Sequence, residues 1–173
     1  VLGLPRWSPV VTEQLTWYVA RSAGLVAWLA ALIAVVLGLL SSTGLLGRSP
    51  TRPWLVDLHR LLSGLTVTFT AVHVVAIYLD DFVDFGTREV LVPMASSWRP
   101  GAVAWGIVAM YLLVAVELTS RLRKWIGERL WRALHWMSVA LVTTATVHAV
   151  QAGTALLRLL PWQDRSYDGY PSR

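Results

Sequence analysis

The sequence predicts an all-α integral membrane protein built as a four-helix bundle, and three observations predict it. Of 173 residues, 55% are apolar and only 14% are charged, too apolar a balance for an ordinary soluble domain. The mean hydropathy is +0.56, and the apolar residues gather in long blocks separated by short charged stretches, the pattern of discrete spanning segments. All four histidines fall inside those blocks.

The first block covers residues 15–40 and is interrupted only by Arg21 and Ser22 near its start; about 20 apolar residues cross the hydrocarbon, so it is read as the first helix. Ser41, Ser42, Thr43, Gly44, Gly47, Pro50 and Pro53 make a turn-rich stretch that carries Arg48 and Arg52 and ends at Trp54, a residue type favoured at the membrane interface. The second helix follows over residues 54–79. Asp80, Asp81, Asp84, Arg88, Glu89 and Arg99 then surround a small apolar patch at 90–94, broken by Pro93, in a loop able to dip back onto the membrane surface. The third helix covers 101–118. Arg121, Arg123, Lys124, Glu128 and Arg129 make a compact basic connection to the fourth helix, over 130–157. One membrane domain, residues 15–158, is thus flanked by an N-terminal segment, 1–14, and a tail, 159–173, rich in charge, tyrosine, proline and glycine. No basic n-region with a short apolar core and small-residue cleavage site precedes the first block, so no signal peptide is expected.

The net charge of +5 sits between the apolar blocks and forms no basic stripe or nucleic-acid motif, so no nucleic-acid partner is expected. Arg48, Arg52, Arg121, Arg123, Lys124 and Arg129 crowd the connections after the first and third helices, with Arg60 and Arg132 just inside the adjacent helix starts, whereas the connection after the second is net acidic. The positive-inside tendency then places both termini on the extracytoplasmic side, in what reads as a bacterial plasma membrane. Trp17, Trp54, Trp98, Trp125, Trp131 and Trp162 fall near helix ends and are read as interfacial anchors.

The chain has no cysteine, which excludes disulfides, thiolate metal sites, iron–sulfur clusters and covalent c-type heme together. A redox centre would rest on histidine. One histidine in an apolar helix is ordinarily a hydrogen-bonded packing residue; four at matched depths are a different case. His59 and His135 each lie a few residues into the second and fourth helices, and His73 and His148 lie toward their far ends. These two helices are separated by one span and run in the same direction, so the pairs His59–His135 and His73–His148 are expected at two levels. Separations of 14 and 13 residues put those levels about 20 Å apart along the helix axes.

Two imidazoles on opposite faces of a heme iron make a six-coordinate centre suited to electron transfer. Two hemes b, held without covalent attachment between the second and fourth helices, are therefore expected, with the four histidines as axial ligands. A tetrahedral zinc or copper site needs more ligands at one level than the two each level supplies. Gly64 and Gly24 are supporting hints, because a missing side chain lets a flat macrocycle approach, although small residues are equally common at plain helix contacts. One feature departs from ideal geometry: fourteen steps of about 100° return His73 to within about 40° of the face of His59, while thirteen leave His148 well off that of His135. Local tightening, helix rotation or different heme tilts would each absorb the difference.

Heme propionates are anionic and seek arginine near each surface. Arg52, Arg60 and Arg132 are candidates on the inner side and Arg88 and Arg99 on the outer, with the alternative that arginines at helix ends snorkel to lipid phosphate. Arg21, about one turn inside the first helix, needs a partner such as an outer propionate or a phosphate. Asp57 is placed to pair with Arg60 or Arg52. No proton relay or nucleophile constellation is evident, since Glu117 sits at the inner end of the third helix and the other carboxylates are terminal to the helices.

His59-x13-His73 followed two helices later by His135-x12-His148 resembles the transmembrane domain of the ferric reductase and NADPH oxidase family. Leu58-His59-Arg60-Leu61, the stretch Trp131-Arg132-Ala133-Leu134-His135-Trp136, and Val92-Pro93 with Arg99-Pro100 look like its bacterial members, over residues 21–152. The resemblance implies a diheme core, with His59 and His135 at the cytoplasm-proximal heme and His73 and His148 at the outer one. It implies electron transfer from a cytoplasmic-side donor to an extracytoplasmic acceptor such as ferric chelate, dioxygen or a periplasmic redox protein. Many relatives have six helices where four are predicted here, and no G-x-G-x-x-G follows a strand. Electrons would come from a flavoprotein partner carrying flavin, from membrane quinol, or from a part of the protein beyond this sequence. Two other readings stay open: a quinone-linked diheme cytochrome b serving a periplasmic reductase, and a heme-free membrane adaptor.

Overall fold

The structure, a computed structural model, describes residues 9–43, 52–80 and 85–153. Expectations for Arg48, Asp81, Asp84, Trp162, the side chain of Arg52 and residues 1–8 and 154–173 fall outside the described residues.

Among the described residues, seven helical segments follow in order: α1 (Pro9–Ser42), α2 (Arg52–Tyr78), α3 (Thr87–Leu91), α4 (Pro100–Arg121), α5 (Arg123–Ile126), α6 (Glu128–His135) and α7 (Met137–Ala152). Four stretches are long and apolar enough to cross a membrane, namely Leu15–Ser42, Pro53–Tyr78, Pro100–Arg121 and Glu128–Ala152, the last combining α6 and α7. The chain is an integral membrane protein. Helix limits differ from the hydropathy reading because hydrogen bonds, not apolarity, set them. α1 starts at Pro9, so part of the expected N-terminal segment is helical, and the fourth span starts at Glu128 instead of 130. α7 reaches Ala152, after which Gly153 leaves the helical region at φ −84°, ψ 74°; the expected stretch 154–157 lies outside the described residues.

The burial pattern is that of a protein in lipid. Buried positions in the described part of α1 are alanines, Ala20, Ala23, Ala27, the adjacent Ala30 and Ala31, and Ala34, recurring about once per turn along one face, while Leu25, Leu29, Leu61 and Val150 point outward. Small side chains let helix backbones approach closely where lipid offers leucine no reason to turn inward. That stripe packs α1 along α2, and α7 packs along α4, so the bundle consists of two tight helix pairs. Between them, Ala109 and Leu113 of α4 and Leu141 of α7 form a buried apolar layer, against which Val67 of α2 packs. A hydrogen bond from Trp28 Nε1 to Thr146 Oγ1, at 2.9 Å, ties α1 to α7.

Local interactions shape the described parts of the connections. The expected loop between the second and third spans contains the single turn α3, and the Ser96 hydroxyl closes it by donating to the Trp98 carbonyl at 2.9 Å and accepting from the Trp98 N–H at 3.1 Å. Pro100 opens α4 at a position where a missing N–H costs nothing. On the opposite end Gly127, at φ 77°, makes the reversal between α5 and α6 in a conformation that a side chain would strain.

Candidate functional site

The fold brings the four histidines together in two pairs. The His59 and His135 rings have centroids 6.2 Å apart with planes at 66°, and His73 and His148 have the same separation, 6.2 Å, at 74°. His59 and His135 lie toward the end of the bundle that carries α5, His73 and His148 toward the end that carries α3. In the sequence order of the two histidine-bearing spans, Leu141 of the buried layer and Val67, which packs against it, come between the two levels. Among the described residues no group of three or more His, Cys, Asp or Glu comes together, so each pair stands as a pair.

Each imidazole is anchored through Nδ1 to a helix that carries no histidine. His59 Nδ1 donates to the Ala34 carbonyl at 2.8 Å, His73 Nδ1 to the Ala20 carbonyl at 2.6 Å, and His148 Nδ1 to the Ala102 carbonyl at 2.8 Å. A carbonyl oxygen only accepts, so the proton must sit on Nδ1, and Nε2 keeps its lone pair. No Nε2 has a hydrogen-bond partner among the described residues, and none is a buried atom left without one, so these lone pairs open on accessible space. His135 differs: its Nδ1 lies 3.4 Å from the Ser120 hydroxyl oxygen, and its ring stacks on Trp131 with centroids 5.0 Å apart.

Glycine stands beside three of these anchors, and at two of them, Gly24 and Gly106, a side chain would collide with the ring. A Cβ on Gly24 would lie 2.9 Å from His73 Nδ1, one on Gly106 2.8 Å from His148 Nδ1, and one on Gly38 3.5 Å from His59 Cε1. Each glycine stands four residues after the accepting alanine, giving Ala20-x3-Gly24, Ala34-x3-Gly38 and Ala102-x3-Gly106. The spacing is physical: in a helix, residue i+4 stacks over the carbonyl of residue i, and its side chain would stand where the imidazole comes in. Gly24 therefore admits an imidazole ring, where the sequence suggested a macrocycle. A Cβ on Gly64 would meet nothing within 4 Å.

The mismatch expected from the 13-residue spacing coincides with a local irregularity. Trp136 separates α6 from α7, and the Val139 N–H bonds to the Trp136 carbonyl at 3.1 Å, three residues back instead of four. A 3₁₀-type turn advances about 120° per residue, the sense that carries His148 back toward the face of His135.

The arginines divide between the ends. Arg60 pairs with Asp57 at 3.6 Å, both side chains largely exposed, and Arg132 pairs with Glu128. Arg52 begins α2 at the same end. At the other end Arg99 donates to the Gln151 carbonyl at 2.8 Å, linking the start of α4 to the end of α7, while the Arg21 guanidinium lies 4.3 Å from the Trp17 ring centroid. Arg88 is exposed on α3.

Sequence reasoning passed over the carbonyls of Ala20, Ala34 and Ala102, and Gly38, Gly106, Ser120 and Trp131 as parts of the site. Trp131 is not only an interfacial anchor: it stacks on His135 and carries the Arg123 guanidinium 4.2 Å from its own ring centroid. The available signal was the recurrence of Ala-x3-Gly with the glycines of α1 14 residues apart, the same step as His59 to His73.

No curated protein and no solved structure matches the chain. Residues 23–146 match the family described as ferric reductase like transmembrane component, a span that takes in three of the four histidines and most of all four helices. The chain belongs to the ferric reductase-like transmembrane family, which implies an oxidoreductase or electron-transfer role.

Proposed function

We propose that the chain conducts electrons across the membrane through two non-covalently bound b-type hemes, one between His59 and His135 and one between His73 and His148. The observation that carries this reading is the ring separation. An imidazole nitrogen lies about 2.0 Å from a bound metal ion and about 1.1 Å from its own ring centre, so imidazoles on opposite sides of one ion have centroids about 6.2 Å apart. Both pairs stand at 6.2 Å. The same spacing recurs at both levels, and the carbonyl anchors on Nδ1 leave the Nε2 lone pairs of three of the four rings without a partner among the described residues.

Heme, when bound, supplies a one-electron iron couple whose potential is set by its axial ligands and surroundings. The Nδ1 anchors hold three imidazoles in the tautomer that leaves Nε2 as donor, and fix their orientation before any ligand arrives. With an imidazole committed on each side, neither centre keeps a position for a small ligand, which favours electron transfer over oxygen binding. The apolar layer of Ala109, Leu113 and Leu141 keeps water from linking the two levels. Arg52, Arg60 and Arg132 at one end and Arg21, Arg88 and Arg99 at the other offer cations to the propionate edges. By its basic residues the α5 end faces the cytoplasm and receives electrons from a flavoprotein or quinol, and the α3 end delivers them to an extracytoplasmic acceptor.

The test is the visible spectrum of the purified, dithionite-reduced protein, which should show sharp b-type bands and about two hemes per chain. Replacing His73 or His148 by alanine should leave about half of that heme, since each pair acts alone. A wild-type protein without b-type bands refutes the reading, and full heme retention in both variants refutes the pairing.

A further inference from the structure

Three of the four imidazoles share one anchoring device, and the fourth breaks it at a predictable place. In α1 the glycines that admit His73 and His59 are Gly24 and Gly38, 14 residues apart; the same step along α4 leads from Gly106 to Ser120. The carbonyl four residues before it, corresponding to Ala20, Ala34 and Ala102, is that of Val116. His135 does not take that carbonyl. Val116 accepts the Thr119 hydroxyl at 3.1 Å, and His135 Nδ1 instead meets Ser120 Oγ at 3.4 Å, an oxygen that also lies 3.5 Å from Trp131 Nε1.

We propose that Ser120 is a positioning residue that makes the two redox centres unequal, holding the His59–His135 centre at a higher reduction potential than a fourth glycine would. This rests on the heme reading above. A backbone carbonyl at 2.6–2.8 Å draws the Nδ1 proton strongly, raises the basicity of Nε2 and stabilises the more positive iron. A hydroxyl at 3.4 Å, beyond the usual N–H···O range and shared with an indole N–H, does so weakly. The imidazole of His135 therefore donates less to its metal, and the reduced state at that level is favoured. The neighbourhood acts in the same direction. The Arg123 guanidinium stacks on Trp131, which stacks on His135, placing a cation across a single ring from that imidazole, although its pairing with Glu128 at 3.8 Å reduces the effect.

The experiment is equilibrium redox titration of the heme-loaded protein, followed in the reduced b-type bands, for wild type, Ser120→Gly and Ser120→Ala. Ser120→Gly opens the same notch as Gly106 and lets His135 reach the Val116 carbonyl, so one of the two midpoints should fall by about a tenfold change in its equilibrium constant, about 59 mV for one electron. Ser120→Ala keeps the Cβ and removes the hydroxyl that His135 Nδ1 meets at 3.4 Å, so the same midpoint should rise, the other staying put in both variants. A purely structural role for Ser120 would move both substitutions the same way, or move both centres. Two hemes with both midpoints unmoved, or shifts of the same sign in the two variants, overturn the inference and leave the heme reading intact. Should Ser120→Gly fail to accumulate, Ser120→Ala alone decides by the sign of its shift. A wild-type protein without heme removes the underlying reading instead.

Discussion

Gly106→Ala puts a single methyl group where the structure leaves no room for one. Its Cβ would stand 2.8 Å from Nδ1 and 2.9 Å from Cε1 of His148, where ordinary contact begins at 3.4 Å. The ring must retreat by about 0.6 Å to restore contact distance, which stretches its bond to the Ala102 carbonyl from 2.8 Å past the useful range for N–H···O. That displacement exceeds the tolerance of about 0.5 Å within which a preorganised site still works. The helix itself gains, because alanine is about 1 kcal/mol better than glycine in a helix interior, and the lost hydrogen bond costs a similar amount, about 1 kcal/mol. The protein should therefore accumulate and fold normally while losing heme, which separates an effect on the site from an effect on the fold. Heme content of the purified variant, measured against protein, should fall from about two to about one per chain by loss of the His73–His148 centre. Gly24→Ala, with 2.9 Å to His73 Nδ1, should behave alike, and Gly38→Ala, whose nearest approach is 3.5 Å, should keep both hemes. Full heme with an unchanged spectrum in Gly106→Ala would show that the notch does not position the ligand.

Trp28→Phe deletes the hydrogen bond to Thr146 between α1 and α7 and should lower thermal stability in detergent by about 0.6–1 kcal/mol, with heme content unchanged. Leu141→Ala opens the apolar layer between the levels; because lipid is as apolar as the protein interior, only lost packing counts, a loss on the order of 2 kcal/mol, read as a lower midpoint of thermal unfolding. Reporter fusions that fluoresce only in the cytoplasm should be dark at either terminus and bright when inserted beside Lys124, the reverse pattern sinking the charge-based orientation.

How far the molecule is legible in its sequence depends on which force sets each feature. The four spans are legible because apolar length alone decides them, and the histidine pairing because two co-directional helices place equal depths at one level. The start of α1 at Pro9 is not, since hydropathy is silent about a helix that continues past the hydrocarbon. The irregularity at Trp136 hides for another reason: no proline or glycine marks it, and the bond from Val139 to the Trp136 carbonyl exists only in the folded bundle. Partners that belong to the backbone are the hardest to read. The carbonyls of Ala20, Ala34 and Ala102 are chemically anonymous, and only the glycines four residues later betray them.

Those carbonyls explain why two spans without a histidine matter to the site. α1 packs on α2 and α4 on α7, and in three cases the Nδ1 anchor runs within such a pair, from His59 and His73 to α1 and from His148 to α4. Each imidazole is therefore held by its own helix pair before its opposite partner is considered. The distance between opposing rings is then set by how the two pairs meet, at the layer of Val67, Ala109, Leu113 and Leu141 and through Trp28 and Thr146. Local hydrogen bonds fix the direction of each imidazole, and bundle packing fixes the separation of the rings. The common value of 6.2 Å at both levels follows from one packing arrangement acting on two pairs, which is why the longer contact of His135 to Ser120, at 3.4 Å, leaves the ring spacing unchanged.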